Sequence, residues 1–435
     1  SLMSKIWQSS AGFSFFTLIS RIFGYLRDLV LTSLLGASSA HDIFVVIFRI
    51  PNVFRSFFGE GALAQSLVPS IIEAKENLNS FLNQVFTLLF VTLLSFVMIA
   101  ELFPGLFISI FAPGFFVDPE KYQSASDFLR LVFPYILLIS FTAFFGAVQN
   151  SKKIFQIVAA TPIIFNITLI CFALFSNEFD LQILGIAILI AGLIQLGINF
   201  IVVIYFNYFP KLVLNFDKEI LKSFFNKLIP AFFAAGIYQL NVLVDTIFAS
   251  FLVTGSPTWL YLSERLIQFP LGLFGVAVAL VALPNMTELF LEKKMEELTL
   301  QSKKLLKVLF FLGLLCVIGA FLFGELAIKL LFLRGEFTSF DVGMTFLALQ
   351  GYAFSMLFIL PQKFFNSIFF AISKANMVVV TGLVSLISNI IFNYYFIYQL
   401  DYGHFGLALA TSISSGIIFV VSYIWLRNQG ILKLI

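Results

Sequence analysis

The chain has 435 residues, of which 60% are hydrophobic and 11% are charged, and its mean hydropathy is +1.01. A soluble domain carries about 25% charged and 45–50% apolar residues, so this composition excludes a soluble protein and predicts an all-α polytopic membrane protein. The net charge of +3 does not indicate a nucleic-acid partner. The two cysteines, Cys171 and Cys316, do not form a disulfide or metal-binding pattern.

Apolar segments long enough to cross a bilayer as helices follow one another along the chain. They lie at residues 10–35, 42–69, 79–112, 125–149, 154–176, 181–208, 220–253, 258–289, 305–332, 341–372, 376–399 and 403–426. We therefore predict about twelve transmembrane helices. Lysines and arginines concentrate in alternate connections, most densely at residues 293–307. By the positive-inside rule, both termini are predicted to be cytoplasmic.

Four matches at one offset indicate an internal repeat of half the chain. The matched pairs, about 217 to 223 residues apart, are DLVLTSLLG at 28–36 with DTIFASFLV at 245–253, Pro51 with Pro270, FLRL at Phe128 with FLAL at Phe346, and Asn166 with Asn389. Parallel repeats in transporters place the substrate site between the two halves. We therefore expect two six-helix lobes, residues 1–213 and 214–435, around a central cavity. Chance similarity among apolar helices is the alternative.

Arginines interrupt the apolar segments. Arg21 and Arg27 lie in the first segment, Arg49 and Arg55 in the second, and Arg265 in the eighth. An arginine at the centre of a membrane span costs about 2.5–3.5 kcal/mol on insertion scales. The guanidinium stays charged when desolvated and binds phosphate in a bidentate manner. These residues therefore predict a cavity for a phosphate or diphosphate.

The alternative interpretation is that these arginines have a structural role and do not bind substrate. Asp28, Asp42 and Glu60 are potential salt-bridge partners, and arginines also bind helix ends or extend to the membrane surface. The local balance of charge nevertheless remains positive. We therefore assign the five arginines, together with Asp28, Asp42 and Glu60, to the predicted substrate site.

A second polar group is predicted in the C-terminal half. Asp245 is a lone carboxylate in the seventh segment, Asn389 lies on the eleventh with Ser385 and Asn393 on the same helix face, and Thr411 follows in the twelfth. Oxygen ligands of this kind suit a hard cation, so a Na⁺ site at Asp245, Asn389 and Thr411 is one hypothesis. A proton carrier at Asp245 and ordinary interhelical hydrogen bonding are the alternatives.

Sequence signatures of catalysis are missing. The chain has no Walker loop, no HExxH motif and no Ser-His-Asp pattern, and its two histidines, His41 and His404, lie far apart in sequence. We therefore predict a transporter rather than an enzyme, with Na⁺ or H⁺ as the only expected cofactor, in the role of coupling ion.

Five stretches carry a family resemblance. They are SRIFGYLRD at 20–28, GASSAHDIF at 36–44, FRIPNVFRSFFGEGALAQSLVPS at 48–70, FAPGF at 111–115 and ERLIQFPLGLFGVAVALVALP at 264–284. Together they resemble the signatures of the MurJ (MviN) family of lipid II flippases, in the MOP exporter superfamily. The resemblance covers nearly the whole chain.

This resemblance implies transport of the undecaprenyl-diphosphate-linked peptidoglycan precursor from the inner to the outer leaflet of the bacterial cytoplasmic membrane by alternating access. The implied partners are lipid II, membrane lipids and the cell-wall synthesis machinery. The matched family positions are the essential cavity arginines at Arg21, Arg27 and Arg55, the eighth-helix arginine at Arg265, acidic positions at Asp28 and Asp42, the GEGA glutamate at Glu60, and the Na⁺-binding aspartate of some members at Asp245.

The chain departs from the family pattern in three places. Many members have fourteen helices, the last two of which border a groove for the lipid tail. Some pair an acidic residue with the asparagine on the eleventh helix, and relatives can carry an acid where Gln268 stands. The rival functions are a related exporter of another polyprenyl-linked oligosaccharide or of cationic drugs, and a non-transporting scaffold for cell-wall assembly.

Overall fold

The computed structural model describes residues 2–58 and 62–432, and the side chains of residues 15–58, 63–275 and 284–432. All regular structure within these ranges is helical. The first ten α-helices are α1 (Leu2–Leu35), α2 (Ser39–Ile47), α3 (Arg49–Phe58), α4 (Ala62–Ala74), α5 (Leu78–Leu102), α6 (Pro104–Phe111), α7 (Pro119–Val132), α8 (Tyr135–Ser151), α9 (Gln156–Phe175) and α10 (Leu181–Tyr205). They are followed by α11 (Lys218–Ser250), α12 (Ser256–Leu291), α13 (Met295–Phe332), α14 (Ser339–Ala353), α15 (Met356–Ala371), α16 (Asn376–Tyr394) and α17 (His404–Asn428).

Each of the twelve predicted apolar segments overlaps one or more of these helices within the described residues, and the all-α class is confirmed. Within the described residues, eight helical stretches are long and apolar enough to cross a membrane, or nine if the bent pair α14 and α15 is one span. The predicted total of about twelve spans stays a prediction.

Prolines account for several breaks within the predicted segments. Phe103, before Pro104, has φ −133° and ψ 63° and separates α5 from α6, because a residue that precedes proline disfavours the helical conformation. Pro51 cannot donate a hydrogen bond to Ile47, where α2 ends. By contrast, α12 continues through Pro270 and Pro284, so these two prolines do not end the helix that contains them.

The chain forms two compact units, Ser1–Gln239 and Leu240–Ile435, and the boundary between them lies within α11. The predicted functional lobes, divided after residue 213, stay a prediction.

The same helix pairings occur in both units. In the first, α10 packs on α7, α8 and α9; in the second, α17 packs on α14, α15 and α16. The turn after α8 and the turn after α15 also match. Lys153 and Ser373 are both left-handed, with φ of 62° and 60°, and each turn has a hydrogen bond that spans six residues, from Ile154 N to Gln149 O and from Lys374 N to Phe369 O. These local correspondences agree with the repeat predicted from the sequence.

The connection between α10 and α11 is held against α5. Asn83 Oδ1 accepts hydrogen bonds from Tyr208 Oη at 3.1 Å and from Lys211 N at 3.0 Å. Further along, Val213 N donates to Thr87 Oγ1 at 2.9 Å and Asp217 N donates to Gln84 Oε1 at 2.7 Å. Burial raises the pKa of Tyr208. The segment at 206–217, which we call the connecting strap, is therefore attached along its length.

Candidate functional site

Arg27 on α1 has a defined setting within the first unit. Its Nη1 donates to Asn166 Oδ1 of α9 at 3.0 Å, and its Nη2 donates to Asp28 Oδ1 at 3.1 Å. The guanidinium carbon lies 5.7 Å from the ring centroid of Phe165, within cation–π range. The Arg27 side chain is 15% exposed and that of Asp28 is 4% exposed. The ion pair is therefore mostly enclosed by protein.

The packing of α1 along α9 positions this pair. Asn166 Nδ2 donates to Ser20 O at 3.5 Å, and Ser20 Oγ donates to Ala159 O at 3.1 Å. Both bonds join α1 to α9. They fix the register of the two helices, and with it the distance between Arg27 and Asn166.

The other predicted arginines of the first unit differ in setting. Arg21 is exposed on α1, whereas Arg49 and Arg55 are half-buried at the two ends of α3. Arg55 lies in the last turn of α3, where a cation complements the negative end of the helix dipole. The predicted residue Glu60 lies outside the described residues.

Asp42 has a basic partner on another helix. Gly36, with φ 61°, ends α1, and Ser38 caps α2 by accepting a hydrogen bond from His41 N. This turn buries Asp42 completely, with its Oδ2 3.9 Å from Lys121 Nζ of α7. The predicted assignment of Asp42 to the substrate site stays a prediction, and its ion pair with Lys121 is a structural role that the sequence analysis did not include.

Two basic side chains lie on packed helices of the second unit. The predicted Arg265 is half-buried on α12. Lys363, which the sequence analysis did not single out, lies on α15 with its Nζ 2.6 Å from the position that a Cβ on Gly275 of α12 would occupy. Lys363 could have been found from the sequence, because it is a lysine within the tenth apolar segment.

Asp245 and Asn389, both predicted from the sequence, lie in one polar group between α11 and α16. Asn393 Nδ2 donates to Asp245 Oδ1 at 3.0 Å, and Asn389 Nδ2 donates to Asn241 Oδ1 at 3.2 Å. Ser414 of α17 donates to Asn389 Oδ1 at 2.9 Å. The structure thus joins three helices through carboxylate, amide and hydroxyl groups.

Two further oxygen atoms, those of the Thr411 hydroxyl and the Asn393 amide, are relevant to the predicted cation site. Thr411 donates its hydroxyl hydrogen to Leu407 O of its own helix at 3.2 Å. The Oδ1 atom of Asn393 is buried and accepts no hydrogen bond. Within the described residues, no group of three or more His, Cys, Asp or Glu side chains is placed to hold a metal, so a cation here would depend on amide and hydroxyl oxygens besides Asp245.

A buried network of uncharged side chains was also missed from the sequence. Gln149 Nε2 donates to Asn199 Oδ1 at 2.8 Å, Asn199 Nδ2 donates to Thr161 Oγ1 at 3.2 Å, and Gln195 Nε2 donates to Thr161 O at 3.0 Å. These bonds connect α8, α9 and α10. The sequence does show amide side chains within apolar segments, but it does not show which hydrogen-bond partners these side chains have.

Comparison with known proteins decides the family. A family model described as "Lipid II flippase MurJ" matches residues 31–434. The chain belongs to the MurJ family. The family resemblance predicted from the sequence is therefore confirmed, and with it the assignment to transporters rather than enzymes.

Similar proteins and a solved structure give the same family as the family model. The probable lipid II flippase MurJ of Buchnera aphidicola subsp. Schizaphis graminum is 32% identical over 439 residues, which is 99% of this chain and 85% of the relative. That of Vibrio cholerae is 31% identical, over 99% of this chain and 84% of the relative. A lipid II flippase MurJ structure in an inward closed conformation matches with a TM-score of 0.83 and 27% identity, covering 95% of this chain and 87% of that one.

A more distant structure shows the breadth of the fold. An inward-facing multidrug resistance MATE family transporter of the MOP superfamily matches with a TM-score of 0.75 at 14% identity, over 95% of each chain. The chain therefore shares the fold of this MOP superfamily transporter. Together with the apolar helices, family membership makes this a polytopic protein of the bacterial cytoplasmic membrane.

Proposed function

We propose that this protein is a lipid II flippase, which moves the undecaprenyl-diphosphate-linked peptidoglycan precursor from the inner to the outer leaflet. The observation that carries the proposal is Arg27, an enclosed guanidinium within an apolar helix of a MurJ-family chain. A charge at that position is costly, and a diphosphate is a ligand that a guanidinium fork binds well.

The mechanism follows from charge. The head group enters a cavity that is open to the cytoplasm and binds the arginines, Arg21, Arg27, Arg55 and Arg265, while the polyprenyl tail stays in lipid. Neutralisation of the arginines by the diphosphate lets the cavity close on one side and open on the other. Ion gradients, consumption of lipid II outside, or the membrane potential, at about 2.3 kcal/mol per charge per 100 mV, drive the cycle.

Na⁺ is the proposed coupling ion, with H⁺ carried by Asp245 as the alternative. Asp245, Asn389 and Thr411 would hold it, and the buried Asn393 Oδ1, which accepts no hydrogen bond, supports a site with room for one more electropositive partner. A hard cation fits this set of oxygens. When bound, it would neutralise Asp245 and draw α11, α16 and α17 together.

The orientation and the partners belong to the same proposal. The distribution of lysines supports cytoplasmic N- and C-termini, which would place the connecting strap on the cytoplasmic side. Delivery of lipid II to the outer leaflet supports contact with the cell-wall synthesis machinery.

Complementation tests the function. A bacterium whose own lipid II flippase is shut off would receive the parent chain, Arg27→Ala, or Arg130→Ala as a matched control. Arg130 is an exposed arginine whose Nε donates to the Glu101 carbonyl oxygen. We expect the parent and Arg130→Ala to restore growth and Arg27→Ala to fail, with membrane levels and melting temperature measured for each.

The other outcomes are equally informative. Rescue by a well-expressed Arg27→Ala protein would keep the function and refute the arginine site. Failure of the parent despite good expression would favour another polyprenyl-linked substrate. A chain that supports growth without moving lipid II, and tolerates neutralisation of all four arginines, would be a scaffold.

A further inference from the structure

Arg27 occupies a seat built from three side chains, Asp28, Phe165 and Asn166, which we call the Arg27 seat. Its two terminal nitrogens are each engaged, one by the Asn166 amide oxygen at 3.0 Å and one by the Asp28 carboxylate at 3.1 Å. Phe165 lies against the guanidinium. With only 15% of the Arg27 side chain exposed, its fork cannot meet a bulky diphosphate without leaving this seat.

We propose, on the basis of the proposed flippase function, that Asn166 is a positioning residue that competes with the substrate's phosphate for Arg27. The amide oxygen of Asn166 accepts the hydrogen bond that a phosphate oxygen would take. Binding of the diphosphate exchanges one acceptor for the other, and release reverses the exchange. Asn166 therefore lowers substrate affinity and speeds release.

Asp28 makes the return to the seat favourable. Its side chain is 4% exposed, and a buried carboxylate that loses its partner is strongly destabilised. When Arg27 turns to the substrate, Asp28 loses part of its compensation, so the seat continues to attract the guanidinium. A transporter needs this balance, because a substrate bound by uncontested arginines would leave slowly.

The seat is held rigidly enough to act in this way. Asn166 donates to Ser20 O and Ser20 donates to Ala159 O, so the amide oxygen is fixed by contacts that do not involve Arg27. It stays in place when the guanidinium leaves.

The internal repeat places a related carboxylate and amide in the second unit. Asp28 and Asn166 correspond in sequence to Asp245 and Asn389, about 220 residues later. In the second unit the carboxylate accepts a hydrogen bond from a neutral amide, that of Asn393, at 3.0 Å. In the first unit the carboxylate of Asp28 accepts a hydrogen bond from Arg27 at 3.1 Å, and a guanidinium is a group able to exchange onto a phosphate.

Binding and transport measured together test this inference. Undecaprenyl diphosphate would be titrated into the detergent-solubilised parent, Asn166→Ala and Asn166→Asp, and flipping of fluorescent lipid II would be followed in proteoliposomes. We expect Asn166→Ala to bind about tenfold more tightly, the change that one charge-assisted hydrogen bond supplies, with a lower KM and a lower maximal flipping rate. Asn166→Asp, which adds a second carboxylate to the seat, should bind about tenfold more weakly.

Asn199→Ala is the matched control. It also removes a buried asparagine that joins helices of the first unit, and it should lower stability while leaving diphosphate affinity unchanged. Equal binding by the parent and both Asn166 variants, or weaker binding by Asn166→Ala, would overturn the inference and leave the flippase proposal standing. A parent that binds no diphosphate would overturn both.

Discussion

Aspartates in the apolar segments have partners of different chemistry. Asp28 is paired with the Arg27 guanidinium, Asp42 with the Lys121 ammonium, and Asp245 accepts a hydrogen bond from the Asn393 amide. Burial of a carboxylate is tolerated when its charge is compensated. Asp28 and Asp42 are each paired with a cationic side chain, and Asp245 lies in a group that also offers amide and hydroxyl oxygens, which suit a hard cation.

At this residue scale we expect Na⁺ to stabilise the parent through Asp245. In detergent, replacing K⁺ by Na⁺ at about 100 times the dissociation constant should add roughly 2.7 kcal/mol to the free energy of unfolding, seen as a higher melting temperature. Asp245→Asn should remove the difference between the two ions. Asp217→Asn, which changes an exposed carboxylate near the start of α11, should keep it.

A parent melting temperature that is the same in Na⁺ and in K⁺ would refute the Na⁺ proposal. A melting temperature of the parent that changes with pH but not with Na⁺, and loses that dependence in Asp245→Asn, would instead support a proton carrier.

At the scale of elements, the connecting strap is an attached segment rather than a free linker. Asn83, Gln84 and Thr87 present their polar groups within little more than one turn of α5, and backbone N–H groups of the strap donate to all three. Lys211, Val213 and Asp217 lie outside regular secondary structure, so α5 supplies acceptors for their backbone N–H groups.

Asn83→Ala should therefore loosen the strap. The change removes the acceptor of both Tyr208 and Lys211, and each hydrogen bond contributes about 0.5–1.5 kcal/mol. We expect tryptic cleavage at Lys211 of the folded protein to accelerate by roughly tenfold. Ser95→Ala is the control on the same helix, since the Ser95 hydroxyl donates to Val91 O within α5. Equal cleavage rates in the parent and Asn83→Ala would show that these bonds do not hold the strap.

At the scale of the whole molecule, the prediction concerns orientation in the membrane. In a background with Cys171 and Cys316 changed to serine, Lys294→Cys should react with a membrane-impermeant thiol reagent only after the cells are permeabilised. Glu178→Cys should react in intact cells. Both positions are exposed, and the positive-inside rule places Lys294 in the cytoplasm. The reverse labelling pattern would refute the proposed orientation.

The helical class, the apolar segments and the family were accessible from the sequence. Each has a local cause or a long signature: apolar runs need only length and composition to be recognised, and SRIFGYLRD and FRIPNVFRSFFGEGALAQSLVPS span many consecutive residues. The repeat was also visible, because matched residues such as Asp28 and Asp245 keep one offset.

The partners of the polar side chains were decided by tertiary structure. Arg27 meets Asn166, 139 positions away, and Asp42 meets Lys121 on another helix. In an apolar helix nearly every face is compatible with burial, so periodicity does not tell which neighbour a polar group will meet. The sequence by itself determined that charges would lie within helices of a membrane transporter. Only the packing of α1 on α9 decided that Arg27 would be held by a carboxylate and an amide, because the partner of a buried charge is set by contacts between helices far apart in the chain.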